Sequence, residues 1–327
     1  MNINKIWKAM IIFSTMVGTH LMPALSFADG ALEEVVTIGS RAKARSITET
    51  TAPVDVISSE ELTNQGDTDI SNLLRNSVPS YSVNDQPISD AATFMRPANL
   101  RGLAPDHTLI LVNGKRRHRG AVITWNGNGI SNGSQGPDIS VIPTIALKSV
   151  EVLRDGASSI YGSDAIAGVI NFVLNDASEG GSFEARYGSY YEGDGDMIQL
   201  SGNIGMPLSD KGFINLSAEY RTADDTSRSV QRDDAAGLVA GGNTFVADPA
   251  QIWGSPEVKD DISLFGNVGL DLTDDSEFYM FGNYSERDVR GGFYYRNPHT
   301  RPGVYSNDGG ATLLVGDLTP GPVGQVN

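Results

Sequence analysis

Four histidines, no cysteine and a scatter of carboxylate pairs are the material from which this 327-residue chain could build a catalytic or metal centre. His20, His107, His118 and His299 show no metal-ligand spacing, and without cysteine there is no disulfide, thiolate ligand or thiol nucleophile. Gly127-Asn128-Gly129 lacks the strand-to-helix context of a phosphate or dinucleotide loop. Asp224-Asp225 and Asp233-Asp234 could take calcium, although solvated loop acids have the same signature. Lys115-Arg116-Arg117-His118-Arg119 could receive an anion or, on an edge strand, block unwanted pairing. Tyr190-Tyr191 and Phe293-Tyr294-Tyr295 could stack on a flat ligand, or serve as packing and girdle residues. The expectation is therefore no enzyme, no catalytic residue, no metal, no cofactor, and a ligand site that the sequence leaves unassigned. A net charge of -16 argues against a nucleic-acid partner.

The elements point to binding instead. Residues 1–28 begin with Lys5 and Lys8, continue through an apolar stretch from Ala9 to Val17, and end in Ser26-Phe27-Ala28, small at the first and third positions of a signal peptidase site. This predicts a cleaved export signal. A membrane anchor is the competing reading, opposed by Gly18, His20 and Pro23, which cut the stretch short of the roughly 20 apolar residues of a spanning helix. With no other such run, any membrane span in the mature chain must be built of strands. Residues 29–50 read as a flexible arm with one β-prone island, Val35-Val36-Thr37-Ile38. An island of this kind suits strand addition to a partner's sheet edge; a local strand packed on the next domain is the alternative.

Residues 51–178 alternate short apolar runs with turns and two helices, an α+β pattern. The strand-like Val54-Asp55-Val56-Ile57 leads into Ser58-Ser59-Glu60-Glu61, which has capping-box spacing, and a second helix is predicted from Thr68 to Asn76. Leu109 to Val112 run into Asn113-Gly114, a hairpin turn after which Lys115 to Arg119 would pair back.

From residue 179 to 327 the period changes to two. Ile198, Leu200, Gly202, Ile204 and Met206 oppose Gln199, Ser201, Asn203 and Gly205; the pattern returns in residues 214–221 and 262–271, with further strands over 183–191 and 278–284. Strands of about ten residues cross a bilayer when tilted. Counting the first as upward, Pro207 to Lys211 and Thr273 to Ser276 are short turns on one side, and the polar stretch from Thr222 to Asp260 lies on the other, the asymmetry of an outer-membrane barrel. A soluble β-sandwich with one wet face gives similar alternation and stays open at this point.

The run Ile142-Pro143-Thr144-Ile145-Ala146-Leu147-Lys148-Ser149-Val150-Glu151-Val152-Leu153-Arg154-Asp155-Gly156-Ala157-Ser158-Ser159-Ile160-Tyr161-Gly162, continuing through Gly168 to Asn171, resembles the end of the plug domain of TonB-dependent receptors. Arg101-Gly102 and the hairpin at Asn113 and Gly114 resemble two earlier plug landmarks, and Glu33 to Arg41 resembles the coupling box. The resemblance implies that Glu34, Val35, Val36, Thr37 and Ile38 bind the periplasmic domain of TonB, which transmits force powered by the inner-membrane proton gradient. It also implies that Gly102, Asn113, Gly114, Glu151, Gly156, Tyr161, Gly162, Gly168 and Asn171 shape the plug, and that Arg101 and Arg154 pair with barrel glutamates as a latch; local carbonyls or Glu151 are the alternative partners. Asp155 departs from many relatives at the position before the glycine.

The resulting expectation is an α+β plug followed by an incomplete antiparallel transmembrane β-barrel, in the outer membrane of a Gram-negative bacterium, for energised uptake of a siderophore, vitamin, glycan or peptide. Its partners would be TonB, outer-membrane lipid and an unknown external ligand. A non-transporting binding, adhesin or signalling protein is the alternative. Five strands cannot close a barrel around such a plug, so the chain is expected to be the N-terminal part of a truncated or split coding sequence, which DNA beyond Asn327 would test.

Overall fold

The computed structural model describes residues 53–83, 90–124, 129–240 and 246–292, with 35–36, 38, 45–46 and 295. The expected export signal, Glu34 and Thr37 of the arm, and the chain beyond Tyr295 lie outside these residues.

An N-terminal α+β domain is built on a mixed five-stranded sheet in the order β3 (Val54–Ser58), β8 (Leu147–Leu153), β9 (Gly168–Leu174), β6 (Thr108–Val112) and β7 (Lys115–Arg116). Only β6 and β9 run parallel. The strands are short and β-branched where they are central, and β6 is buried at every position, as a strand covered on both faces must be.

Helix α1 (Ser59–Thr63) starts at the expected cap: Ser58 accepts a hydrogen bond from the Glu61 amide at 3.1 Å. Helix α2 (Ile70–Ser77) begins two residues later than the sequence suggested, because the Asp69 carboxylate takes the amides of Ser71 and Asn72 and so fixes the N-cap there. Its apolar face, Ile70, Leu73 and Leu74, joins Leu62, Val150, Ile170 and Phe172 in the main core. Two-residue strands β4 (Tyr81–Ser82) and β5 (Asn99–Leu100) pair beside it. Burial pushes the Tyr81 hydroxyl well above the usual phenol range.

The hairpin turn is where it was expected, with Asn113 at φ 48° and Gly114 at φ 71°. Its return strand is shorter than expected. Only Lys115 and Arg116 form the return strand; Arg117 keeps one amide bond to the Ile110 carbonyl at 2.9 Å, and His118 and Arg119 lie beyond it. After β8 a turn through Gly156 and the short helix α3 (Ser158–Tyr161) lead back to β9.

The second body is a wall of five antiparallel strands in sequence order: β10 (Gly181–Gly188), β11 (Met197–Ser209), β12 (Gly212–Ala223), β13 (Glu257–Thr273) and β14 (Ser276–Arg290). Four of them exceed the expected ten residues, β13 reaching 17. Two-residue turns join β11 to β12 and β13 to β14, and the longer connections 189–196 and 224–256 lie at the opposite end. The long connection, expected to be merely polar, carries helix α4 (Asp233–Ala240). Each wall strand pairs only with its sequence neighbours, so the described sheet is an open one whose outer edges are β10 and β14.

Gly168 begins β9 at φ 148°, and a Cβ there would lie 2.2 Å from the Leu153 carbonyl oxygen and 2.7 Å from Leu100. Gly168→Ala should destabilise the N-terminal domain by about 2 kcal/mol, read as a lower urea midpoint; an unchanged midpoint contradicts this account of the close approach.

Candidate functional site

The surface where the N-terminal domain meets the wall is built by strand alternation. On β11 to β13, Gln199, Ser201, Asn203, Asn215, Ser217, Asp261, Ser263 and Asn267 are all buried, Asn215 to 2% exposure. The intervening apolar side chains face outward: Tyr187 is 69% exposed, Met280 58%, and Phe183, Ile198, Leu200, Phe278 and Tyr284 are exposed with them. A soluble sandwich buries its apolar side. This sheet does the reverse, which is the pattern of a barrel wall in lipid around a polar interior.

Register sorts the inner face into bands. Nearest the two-residue turns, Asn203 stands beside Ser217, and Asn215 beside Asn267. Their amides form a chain: Asn267 Nδ2 donates to the Asn175 carbonyl at 3.0 Å, Asn175 Nδ2 to Asn203 Oδ1 at 3.3 Å, Asn203 Nδ2 to Asn215 Oδ1 at 2.5 Å, and Asn215 Nδ2 to the Ala177 carbonyl at 3.3 Å. Asn113 Nδ2 donates to Asn267 Oδ1 at 3.2 Å while Asn113 Oδ1 accepts from the Leu174 amide. The linker between domain and wall lies in this belt, and Gly205 leaves it room, since a Cβ there would sit 2.3 Å from the Ala177 oxygen. Phe265 interrupts the polar face and enters the N-terminal core, with Phe281 packed against it.

Beyond an intervening band of Ser201, Glu219 and Ser263, the next residues are charged except for one glutamine. Arg186, Gln199, Arg221, Asp261 and Arg287 face one another strand by strand across all five strands. Arg186 donates to the carbonyls of Asp67 and Thr63 at 2.6 and 2.7 Å, and Arg287 donates to the Ser140 hydroxyl and carbonyl, both at 2.9 Å.

Within the N-terminal domain, Asn171 Nδ2 donates to buried Glu151 at 3.0 Å and Asn171 Oδ1 accepts from the Gly114 amide at 2.9 Å, tying three strands at the hairpin. Arg101 sits at φ 55° in a turn completed by Gly102 at φ 69°; its guanidinium lies 3.8 Å from Asp155 and donates to the Ala167 carbonyl at 3.4 Å. Arg154 binds Asp55 through Nη2 at 2.9 Å. Among the described residues, the partners of both arginines lie in their own domain, and the Ala167 carbonyl on Arg101 matches the local alternative to wall glutamates. Tyr161 closes α3, and Gly162 follows at φ 100°. The arm also differs from a free strand. β1 (Val35–Val36) pairs with β2 (Arg45–Ser46), and Ile38 is buried against Val54, Leu109, Leu111 and Val169.

Residues 46–169 match the family model for the TonB-dependent receptor plug domain. The N-terminal domain is a TonB-dependent receptor plug. The chain is similar to such receptors over most of its length. It is 33% identical over 156 residues to an iron-regulated outer membrane virulence protein of Vibrio cholerae, covering 47% of this chain and 22% of that protein. It is 28% identical over 272 residues to a rhizobactin receptor of Rhizobium meliloti, covering 81% and 32%. The solved ferric enterobactin receptor of Pseudomonas aeruginosa superposes with a TM-score of 0.53 at 18% identity, over 72% of this chain and 33% of that one, which shows the shared fold. The chain therefore spans well under half the length of these relatives.

Of the plug motif residues, Asn113, Gly114, Glu151 and Asn171 gather near the C-terminal ends of β6 and β9, whereas Gly168 stands at the opposite end of β9, beside Leu100 and Leu153. The residues that tie plug to wall, Asn175, Arg186, Asn203, Asn215, Asn267 and Arg287, were not singled out as a site by sequence. Their signal is an amide or arginine at the small-polar position of an alternating strand. Outside the wall, Arg228 grips Asp194 with two nitrogens at 2.5 and 3.0 Å and stacks over Tyr190, tying the long connection to the short one. The Asp233-Asp234 pair opens helix α4, and Asp234 is taken by Arg232.

Two outcomes follow from these contacts. Asn171→Leu removes the bonds to Glu151 and Gly114 and should cost about 3 kcal/mol in a denaturant melt of the folded chain; a loss under a third of that would show the pair to be incidental. The Arg228 guanidinium holds the Asp194 carboxyl below the usual carboxylate range, so this tie persists above the ordinary aspartate value and is lost as pH falls through the depressed one. Carboxyl NMR should find the Asp194 midpoint low, and returned upward in Arg228→Ala.

Proposed function

We propose that this chain supplies the coupling arm, the plug and the first wall strands of an outer-membrane receptor that takes up a scarce ligand with energy delivered by TonB. The observation that carries the reading is a wall apolar outside, polar inside and filled on its polar side by a plug domain. Such a wall conducts nothing while the plug is in place, so passage needs work done on the plug. The names of the relatives, receptors for rhizobactin and ferric enterobactin and a vitamin B12 transporter, favour a metal chelate as the ligand class.

The arm is where that work enters. Val35 to Ile38 is short, β-prone and close to the N-terminus of the plug, and its pairing is only two residues long. A partner strand that adds to Val35 and Val36 competes with a weak local partner, and withdrawing Ile38 then pulls directly on the face of the sheet formed by Val54, Leu109, Leu111 and Val169. Local pairing and partner binding are thus two states of one segment.

In cells expressing the intact receptor gene, deletion of residues 33–41 should abolish accumulation of radiolabelled ferric catecholate, ferric hydroxamate or cobalamin, whichever the cells take up, while surface binding persists. Accumulation that survives the deletion would falsify the energised reading and favour a binding or adhesin role.

A further inference from the structure

Arg186 and Arg287 stand in the same cross-strand band at the two outer edges of the described wall, and both point into the plug. Each is mostly buried, with a side chain 15% exposed. Each has a carboxylate on its own wall: Arg186 Nε lies 2.6 Å from Glu184, and Arg287 contacts Asp261 through Nε at 2.8 Å and Nη2 at 2.7 Å. What they offer the plug is the remaining N–H groups of the guanidinium fork. What they take from the plug is uncharged: the carbonyls of Thr63 and Asp67 around the end of α1, and the carbonyl and hydroxyl of Ser140.

We propose that Arg186 and Arg287 are the release latches between plug and wall. The charge pair of each latch lies wholly on the wall, so opening it separates no opposite charges and strands no carboxylate in the plug. An ion pair that bridged the two bodies would oppose opening with the full penalty of an unpaired buried charge. Here the bonds broken are guanidinium to neutral oxygen, which water replaces on both sides. The Thr63 carbonyl belongs to the C-terminal turn of α1, whose carbonyls lack helical partners and carry partial negative charge, so the cation also fits the end of the helix. The amide belt is a different joint. It holds Asn113 and residues 175–177 to three strands, directly beside the covalent linker, and it keeps the plug's last strand attached while the latched segments move. Arg101 and Arg154 differ from these two in having their described carboxylate partners, Asp155 and Asp55, within the plug.

The latch role rests on the uptake reading, but its test needs neither ligand nor TonB. The intact receptor, purified in detergent micelles, is compared with its Arg186→Gln and Arg287→Gln variants by hydrogen exchange. Amides of residues 63–72 should exchange about tenfold faster in Arg186→Gln, and amides of residues 138–142 likewise in Arg287→Gln, while residues 171–177 and the wall ladders keep their wild-type rates. Arg186→Lys retains the charge beside Glu184 but cannot bridge two carbonyls, and it should show the same local pattern; it serves if the Gln variant does not fold. Unchanged rates in 63–72 and 138–142, or acceleration spread equally over 171–177 and the wall, would overturn the proposal. Because exchange is read without transport, a failed latch leaves the uptake reading standing, and a failed uptake assay leaves the latch pattern to be judged alone.

Discussion

A sheet with its apolar side out must still satisfy the polar side it turns inward, and this constraint organises the molecule. Ser201, Asn203, Asn215, Ser217, Ser263 and Asn267 are buried on the inner face of the wall. Left dry and unpartnered, such groups are costly. The plug and linker supply partners to Asn203, Asn215 and Asn267 through Asn113, Asn175 and the Ala177 carbonyl, while Ser217 is bonded by Asn203 within the wall. Plug and wall therefore complete one another's hydrogen bonding, and among the described residues Phe265 and Phe281 are the wall side chains that join the plug's hydrophobic core.

That division explains the character of the interface. An apolar boundary of the same area would make the plug a permanent part of the core, since burying apolar surface resists any separation in proportion to area. A boundary of amides, hydroxyls and guanidinium groups exchanges its bonds with water at modest net cost. The plug can be compact in itself, with Phe172, Leu74 and Ile170 fully buried, and still be exchangeable at its rim. Stability inside the body and lability at its surface are set by different residues.

Much of this was legible in the sequence because it depends on local rules. Ser58 and Glu61 cap α1, Asn113 and Gly114 take the turn, and the two-residue period of 198–206 fixes which side chains share a face. Alternation alone does not say which face is wet; turn lengths and the plug resemblance favour a membrane wall over a sandwich, and Tyr187 and Met280 outside with Asn215 inside supply the facing that alternation lacks. For Arg101 and Arg154 the sequence offered local carbonyls as one alternative, which Ala167 supplies to Arg101, but not the carboxylates: Asp155 is far along the chain from Arg101, and Asp55 is 99 residues from Arg154. Helix α4 was missed because Gly237 and a weakly patterned run of small residues carry little helical period. The pairing of Val35 and Val36 with Arg45 and Ser46 was missed because a two-residue strand leaves no pattern to count.

The linker sets how closely the two bodies approach. Residues 175–180 run along the inner face of β11, with the Gly205 amide bonded to the Gly180 carbonyl and no space for a side chain where Ala177 passes. The tail of the plug thus lies in a gap the width of a glycine. A side chain at position 205 would push that tail off the wall and stretch the amide bonds beside it, so one hydrogen atom's worth of room keeps the covalent joint and the polar belt at the same spacing.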